Sequence, residues 1–258
     1  MEINVKLIII IVFIGSIFAG GYAILEKNKS VKLSQLHSGY KLQPKDWEVF
    51  LQCWQEKRLH QLDQGNADFL RFGNETVKHK SIEFPNLQDI PLPKSFLDFH
   101  ESYQRLGGAY RETSIADGIG MFAPSEVQLL SSYLLEYLES NNEFSFESDD
   151  ESYYKYGVEQ DTAQQRTSYK QNAIVVGQYG WDDYELIVLY PDSKTQDGEM
   201  ETAIFGLASD ARTPSFVEMM KQLAVFFLSA PDSMPLYPQP TVAKSCAGKL
   251  TLVNVWWK

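Results

Sequence analysis

The chain has 258 residues, of which 44% are hydrophobic and 22% charged, so it can form one large domain and does not resemble a disordered or fibrous protein. The formal net charge is −11, and removing residues 1–32, with four Lys and two Glu, leaves 19 basic and 32 acidic side chains, a net charge of −13. This balance argues against nucleic-acid binding, which needs clustered Lys and Arg, and allows a protein partner with a basic surface.

An apolar run near the N-terminus predicts a membrane anchor. It begins at Leu7 and ends at Leu25, and its nineteen uncharged residues span ~28 Å as a helix, close to the thickness of a bilayer core. The alternative is a signal peptide whose cleavage yields a secreted or periplasmic protein. Because Lys27, Lys29 and Lys32 follow the run and one Lys precedes it, we expect a single-pass anchor with the body in the cytoplasm.

Residues 30–89 are expected to contain a stalk, one helix and loops. Residues 30–43 are polar and without periodicity, which is typical of a stalk. A helix then begins at Pro44 and extends to about residue 62, and we expect its apolar face to pack on the main domain, a separate binding face being the alternative. That face consists of Trp47, Phe50, Leu51 and Trp54. The loop-rich remainder includes a candidate short strand at residues 82–84.

The two cysteines, Cys53 and Cys246, belong to no CxxC or metal-ligand spacing. Two independent thiols are the expected state in a reducing compartment, and a structural disulfide between them is the alternative.

A second helix is predicted over residues 93–106, with Gly107 just beyond its end. Its inward side chains are predicted to be Phe96, Leu97, Phe99, Tyr103 and Leu106. A short strand should follow over residues 119–122, and a third helix should begin at Pro124 and cover the sheet. The GIGMFA sequence at residues 118–123 is not a dinucleotide fingerprint, because that loop must leave an apolar strand and enter a helix directly.

An acidic stretch with interleaved aromatic side chains is the first candidate partner-binding surface. Residues 112–154 contain no Lys or Arg, and four acids near their end lie beside Phe and Tyr residues. The four candidate residues are Glu147, Asp149, Asp150 and Glu151. Aromatic groups within a field of one sign suit an oppositely charged partner, whereas a solvated loop is the alternative. Residues 156–171 are predicted to be an exposed insertion.

Three short apolar runs predict the core of a sheet. They cover residues 173–176, 184–190 and 201–207, and the turn-forming residues between them favour an antiparallel meander. An amphipathic helix should follow from about Pro214 to residue 228 and pack on the sheet. Residues 231–258 are predicted to be a Pro-rich linker and a C-terminal strand.

The second candidate surface is the turn between the first two of these strands. Its residues are Trp181, Asp182, Asp183 and Tyr184. An aromatic ring flanked by carboxylates can bury area while the acids attract a basic partner. The alternative is that Trp181 packs inward as part of the fold.

Three segments resemble the SUKH superfamily of Smi/Knr-like proteins. They are LPKSFLDFHESYQRLGG from Leu92, VVGQYGWDDYELIVLY from Val175 and SFVEMMKQL from Ser215, and together they lie within residues 90–230. The resemblance implies an α+β domain with a mixed, mostly antiparallel sheet flanked by helices. It also implies a bacterial immunity protein that neutralises a toxin, often a nuclease, by binding it. The fungal branch of the family implies the alternative, a regulator or scaffold of cell-envelope synthesis.

No pattern in the sequence nominates a catalytic, cofactor or metal site. The four histidines, His37, His60, His79 and His100, form neither HExxH nor a zinc-finger spacing. The sequence also lacks a GxSxG elbow and a GxxxxGK[ST] phosphate loop. We therefore expect a non-catalytic protein, with His100 a surface or helix-packing residue.

Overall fold

The computed structural model describes residues 31–61, 82–87, 90–107, 119–133, 147–157, 160–179, 185–206, 210–229 and 246. The strands in these segments are β1 (Ile119–Met121), β2 (Gln128–Leu129), β3 (Ile174–Tyr179), β4 (Leu186–Lys194), β5 (Met200–Phe205) and β6 (Asp210–Thr213). The α-helices are α1 (Pro44–Gln61), α2 (Lys94–Arg105), α3 (Leu130–Tyr133), α4 (Asp150–Tyr153), α5 (Thr167–Gln171) and α6 (Phe216–Ser229). Two short 3₁₀ helices cover Leu33–Gln35 and Pro85–Leu87.

All strands described form one sheet in the order β1-β3-β4-β5-β6, with β2 pairing to β3 beside β1. Every pairing among them is antiparallel, so the predicted α+β class with a mostly antiparallel sheet is confirmed. The β3-β4-β5 meander matches the three predicted strands. Strand β4 continues through Pro191, one of the turn-forming residues between the second and third predicted runs. The proline is tolerated there because the register shifts between Tyr190 and Lys194, which marks a bulge.

Helices α1, α2 and α6 cover one face of the sheet and form the main core. The indole of Trp47 lies 5.4 Å from the ring of Phe99 and 5.9 Å from that of Phe216, which joins the three helices. Trp47, Phe50, Leu51 and Trp54 are all fully buried. The predicted packing of the first helix on the main domain is therefore confirmed, and residues 44–61 belong to the same body as the sheet.

Helix α2 agrees with its prediction except at one side chain. Phe96, Phe99 and Tyr103 are buried, and Gly107 has the positive φ of 71° expected after a helix end. Leu97 was predicted to point inward but is 37% exposed. It is the residue after buried Phe96, and one step of about 100° around the helix axis turns its side chain towards solvent. His100 is fully buried and packs edge-on against Phe96, so it is a helix-packing residue.

Residues 147–157 and 160–171, which we name the acidic layer, cover the opposite face of the sheet. Side chains alternate between the two faces of a strand, so Glu201 in β5 and Arg212 in β6 point towards this layer and contact Tyr153. The prediction of an exposed insertion over residues 156–171 is wrong, since Gln160 and Lys170 are buried against the sheet. The segment was predicted to be exposed because its residues are polar, but they pack on a sheet face that carries polar side chains as well.

Residues 32–42, which we name the strap, run along the body and are not a free stalk. Leu33 is fully buried against Tyr153 and Tyr154 of the acidic layer. Leu36 accepts a hydrogen bond from the backbone N–H of Gln196 at 2.8 Å, in the turn between β4 and β5. The prediction of a stalk is therefore wrong for these residues, because the side chain of Leu33 and the backbone carbonyl of Leu36 both contact the body.

The strap then reaches the helical layer on the other face of the sheet. The hydroxyl of Tyr40 donates to Asp98 of α2 at 2.9 Å and accepts from the indole N–H of Trp47 at 2.8 Å. The N–H and O–H of Ser38 both donate to Asp197, at 2.8 and 2.6 Å. The strap therefore connects both layers around the β4–β5 turn.

Three other local predictions need correction. Residues 124–126 form a turn and strand β2 follows at Gln128–Leu129, so the third helix begins at Leu130 and not at Pro124. Residues 82–84 form no strand, and the 3₁₀ helix Pro85–Leu87 follows them. Helix α6 begins after Pro214, because the Ser215 hydroxyl accepts from the Glu218 N–H and caps the helix.

Cys53 in α1 and Cys246 form a disulfide with a sequence separation of 193 residues. The prediction of two independent thiols therefore does not hold in this structure. The apolar run of residues 7–25 and the C-terminal strand prediction at residues 249–257 lie outside the described residues. Among the helices that the structure describes, none combines the length and the apolar character needed to cross a bilayer.

Candidate partner-binding surface

Three of the four predicted acidic residues have a structural task in the acidic layer. Asp149 caps helix α4, since its carboxylate accepts from the N–H of Ser152 at 2.8 Å and from its hydroxyl at 3.1 Å. Glu147 accepts in the same way from Ser168, at 2.8 and 3.1 Å, near the start of α5. The acids are thus held in place by short helices, as a preorganised surface requires.

Asp150 differs from its neighbours because it is paired with two cations. Its carboxylate lies 2.5 Å from the guanidinium of Arg166 and 2.6 Å from the ammonium of Lys32. Hydrogen bonds from Lys32 and Arg166 lower the pKa of Asp150, so this carboxylate stays ionised. The pairing leaves little of its charge for a partner.

The carboxylates that face solvent are therefore those of Glu147, Asp149 and Glu151, all of which are exposed. The backbone N–H of Ser152 lowers the pKa of Asp149 by hydrogen bonding to its ionised form. Three exposed acidic side chains within five residues create a negative field that attracts a basic surface.

Arg166 holds the acidic layer together. Its guanidinium lies over the rings of Tyr153, Tyr154 and Tyr169, at 4.6, 5.1 and 5.2 Å from their centres. It also donates two hydrogen bonds to the carbonyl oxygen of Ser148, at 3.2 and 3.1 Å. Arginine suits this role because its planar group can stack on rings and donate at its edge at the same time.

A buried polar cluster joins the acidic layer to the sheet. The hydroxyl groups of Tyr153 and Tyr156 each donate to Glu201 at 3.1 Å. Arg212 donates to the carbonyl oxygen of Tyr153 at 2.9 Å and lies 3.7 Å from the Glu201 carboxylate. Burial raises the pKa of Glu201, and the positive charge of the nearby Arg212 opposes this rise. These contacts hold the acidic layer on the sheet, so the cluster has a structural role beneath the candidate surface.

A second pair lies deeper on the same face. Asp210 accepts from the hydroxyl of Tyr190 at 3.0 Å and is 3.3 Å from the ammonium of Lys170. Lys170 also lies 4.8 Å from the centre of the Phe205 ring. Burial raises the pKa of Asp210 and lowers that of Lys170, and their mutual attraction opposes both effects.

Sequence reasoning missed Arg166, Glu201 and Arg212, which organise the acidic layer. One signal was present: Glu201 and Arg212 lie in or beside strands, where an isolated charge is unfavourable unless it is paired. Trp181, Asp182, Asp183 and Tyr184 lie outside the described residues, between the end of β3 at Tyr179 and the start of β4 at Leu186.

Within the described segments, no group of three or more His, Cys, Asp or Glu side chains is placed to hold a metal ion. His100 is 0% exposed, and burial lowers its pKa to about 3, which keeps the ring neutral. No family model matches this chain, and no curated protein or solved structure matches it either.

Proposed function

We propose that this protein is a membrane-anchored, non-catalytic binding protein of the SUKH type that neutralises a toxin by occupying its basic surface. The observation that supports this best is the set of exposed carboxylates on the acidic layer, two of which, Asp149 and Glu147, are held by hydrogen bonds from Ser152 and Ser168. Fixed charges steer association without a large loss of side-chain freedom on binding. The body's net charge of −13 acts in the same direction over a longer range.

The predicted turn that carries Trp181, Asp182, Asp183 and Tyr184 is the second part of the proposed interface. It connects β3 and β4, and both of these strands lie inside the sheet. A turn that leaves a rigid sheet can present side chains at low ordering cost. In this proposal Trp181 or Tyr184 buries area on the partner, and the two aspartates pair with its basic groups.

The alternative is a tethered regulator or scaffold of cell-envelope synthesis, and one observation favours it. The Cys53–Cys246 disulfide suits an oxidising compartment, because cytosolic reductants keep most thiols reduced. This supports a body outside the cytoplasm, against the orientation expected from Lys27, Lys29 and Lys32. A nuclease finds its substrate in the cytoplasm, so a body outside the cytoplasm favours a partner of another kind, such as a component of envelope synthesis.

The test is capture of partners by the full-length protein in detergent, together with toxin-protection assays in cells. Recovery of a basic toxin, and protection of cells against it, supports the immunity proposal. Envelope defects on deletion, without a change in sensitivity to any toxin encoded by a neighbouring gene, select the scaffold alternative. Capture of no basic partner and absence of both phenotypes would defeat both.

The site is tested by reversing charge at the two candidate surfaces. Asp182→Lys with Asp183→Lys should abolish binding while leaving the melting temperature nearly unchanged. Glu151→Lys should slow association and alter its salt dependence, because Glu151 is an exposed acid in the acidic layer. Glu56→Lys is the matched control, since Glu56 is an exposed acid on α1. Equal binding by all variants would move the interface elsewhere.

A further inference from the structure

The strap fixes the point at which the chain leaves the body towards its N-terminus. Lys32 pairs with Asp150 at 2.6 Å, and Leu33 next to it is fully buried among the tyrosines of the acidic layer. Hydrogen bonds at Leu36 and Ser38 hold the next turn of the path against the β4–β5 turn. The departure point is therefore on the acidic layer, on the face of the sheet opposite to helices α1 and α2.

The chain between this point and the apolar run is short. Six residues, 26–31, separate Leu25 from Lys32. Even a fully extended chain crosses seven residue steps in roughly 25 Å. A compact body of the roughly 140 residues that the structure describes has a diameter of roughly 37 Å. A tether of this length cannot reach around the body, so the side of the body on which it is attached decides which side lies near the bilayer.

We propose that the acidic layer is the membrane-facing surface of the body and that the outer faces of α1 and α2 point away from the bilayer. This rests on the anchor in the proposed function. In this orientation the acidic layer faces the lipid headgroups. Lys32, whose side chain is 51% exposed, lies at the point where the chain leaves the body. The exposed carboxylates of Glu147, Asp149 and Glu151 then meet a basic partner close to the membrane and not in bulk solvent.

The experiment measures the distance of two exposed positions from the headgroups. Full-length protein is reconstituted in nanodiscs that contain a lipid with an acceptor dye on its headgroup. A donor dye is attached to Glu151→Cys on the acidic layer or, as the matched control, to Leu97→Cys on α2. Both positions are exposed, and the two native cysteines are paired, so the new thiol is the reactive one.

We expect higher energy transfer from Glu151→Cys than from Leu97→Cys. Insertion of about twenty Gly and Ser residues between Ser30 and Val31, with a root-mean-square span of roughly 25 Å, should remove most of that difference. Equal transfer from the two positions before the insertion would overturn the membrane-facing orientation. Failure of the unmodified chain to co-purify with nanodiscs would instead overturn the anchor on which the proposal rests.

Discussion

The side chain of Gln160 makes the hydrogen bonds to Arg212 that a further strand would make. Its Nε2 donates to the backbone carbonyl of Arg212 at 3.0 Å, and its Oε1 accepts from the backbone N–H at 2.7 Å. The carbonyl oxygen of Thr162 accepts from the N–H of Asp210 at 2.9 Å. The outer edge of β6 is thereby closed, which protects the sheet against pairing with another chain.

Replacing Gln160 should open this edge. In Gln160→Leu the N–H and C=O of Arg212 lose their partners in a buried site, so we expect the free energy of unfolding to fall by about 1–3 kcal/mol in urea denaturation. Self-association should also rise in light scattering. Gln160→Glu keeps an acceptor for the N–H but places a carboxylate oxygen against the carbonyl oxygens of Arg212 and Lys155 in a buried site, so it should be destabilised as well. A Gln160→Leu protein as stable and as monomeric as the wild type would contradict this account.

The buried cluster predicts strong coupling between Arg212 and Glu201. Both side chains are fully buried, so Arg212→Met leaves the Glu201 carboxylate without its cation and should cost about 3–5 kcal/mol. In the double variant Arg212→Met with Glu201→Gln, a neutral amide replaces the carboxylate, and its oxygen still accepts a hydrogen bond from a tyrosine. Chemical denaturation should show that this variant regains part of the loss. Strictly additive losses would show that the two groups act independently.

Glu199 predicts a loss of stability between pH 4.5 and pH 6. Burial raises its pKa from 4.5 to about 6, against two hydrogen bonds from Ser95 that favour the ionised form, and Asp197 and Asp98 raise it further. The folded state therefore holds this proton more tightly than the unfolded chain. The resulting stabilisation is complete below the unfolded pKa and is lost as the pH rises through the folded pKa, a change of about 2 kcal/mol.

Glu199→Gln provides the measurement, because its amide cannot ionise and can still bond to both groups of Ser95. Unfolding free energies of the two proteins are compared from pH 4 to pH 7. The contributions of all other groups cancel in the difference, which should grow in favour of the variant across this interval. A difference that stays constant with pH would show that Glu199 does not titrate in this range.

The disulfide predicts a dependence on compartment. Cys246→Ser removes a link across 193 residues and should lower the free energy of unfolding by about 2–5 kcal/mol. Alkylation of intact cells before lysis, followed by mass measurement, reports whether the thiols are paired in the cell. Paired thiols support a body outside the cytoplasm. Two alkylated thiols would place it on the reducing side, in agreement with the Lys distribution around the apolar run.

Asp149 and Glu151 should respond differently to the same substitution. Asp149→Ala removes the cap of α4 and leaves the N–H of Ser152 without its acceptor, so the melting temperature should fall. Glu151→Ala changes an exposed side chain and should leave the melting temperature almost unaltered. Circular dichroism of the two variants decides the point. The same fall in both would mean that Glu151 also supports the fold.

Periodicity alone was sufficient for the helical layer and the central strands. Trp47, Phe50 and Trp54 repeat at helical spacing, and β3 and β4 are short apolar runs between turn-forming residues. Both signals depend on apolar side chains that face one core. They therefore identify the face of the sheet that α1, α2 and α6 cover, and they led to the correct class of fold.

The opposite face escaped prediction because its packing is polar and aromatic. Lys170, Asp210 and Arg212 are buried there, and their stabilising contacts come from residues that are distant in sequence. The strap escaped for a similar reason, since Ser38 and Tyr40 bind through hydrogen bonds that no local pattern indicates. At the candidate surface, the sequence treats the four acids alike, whereas the structure separates paired Asp150 from exposed Glu151.

The disulfide also sets an order for biosynthesis. Cys53 is translated early and its partner Cys246 follows 193 residues later, an interval of roughly 10–40 s at about 5–20 residues per second. For that time Cys53 belongs to a growing chain whose correct partner does not yet exist. Helix α1, which carries Cys53, has no completed sheet to pack against until β6, which ends at Thr213, has been translated. A newborn chain therefore presents a single thiol that can join another nascent polypeptide or an oxidoreductase before its own C-terminal segment arrives.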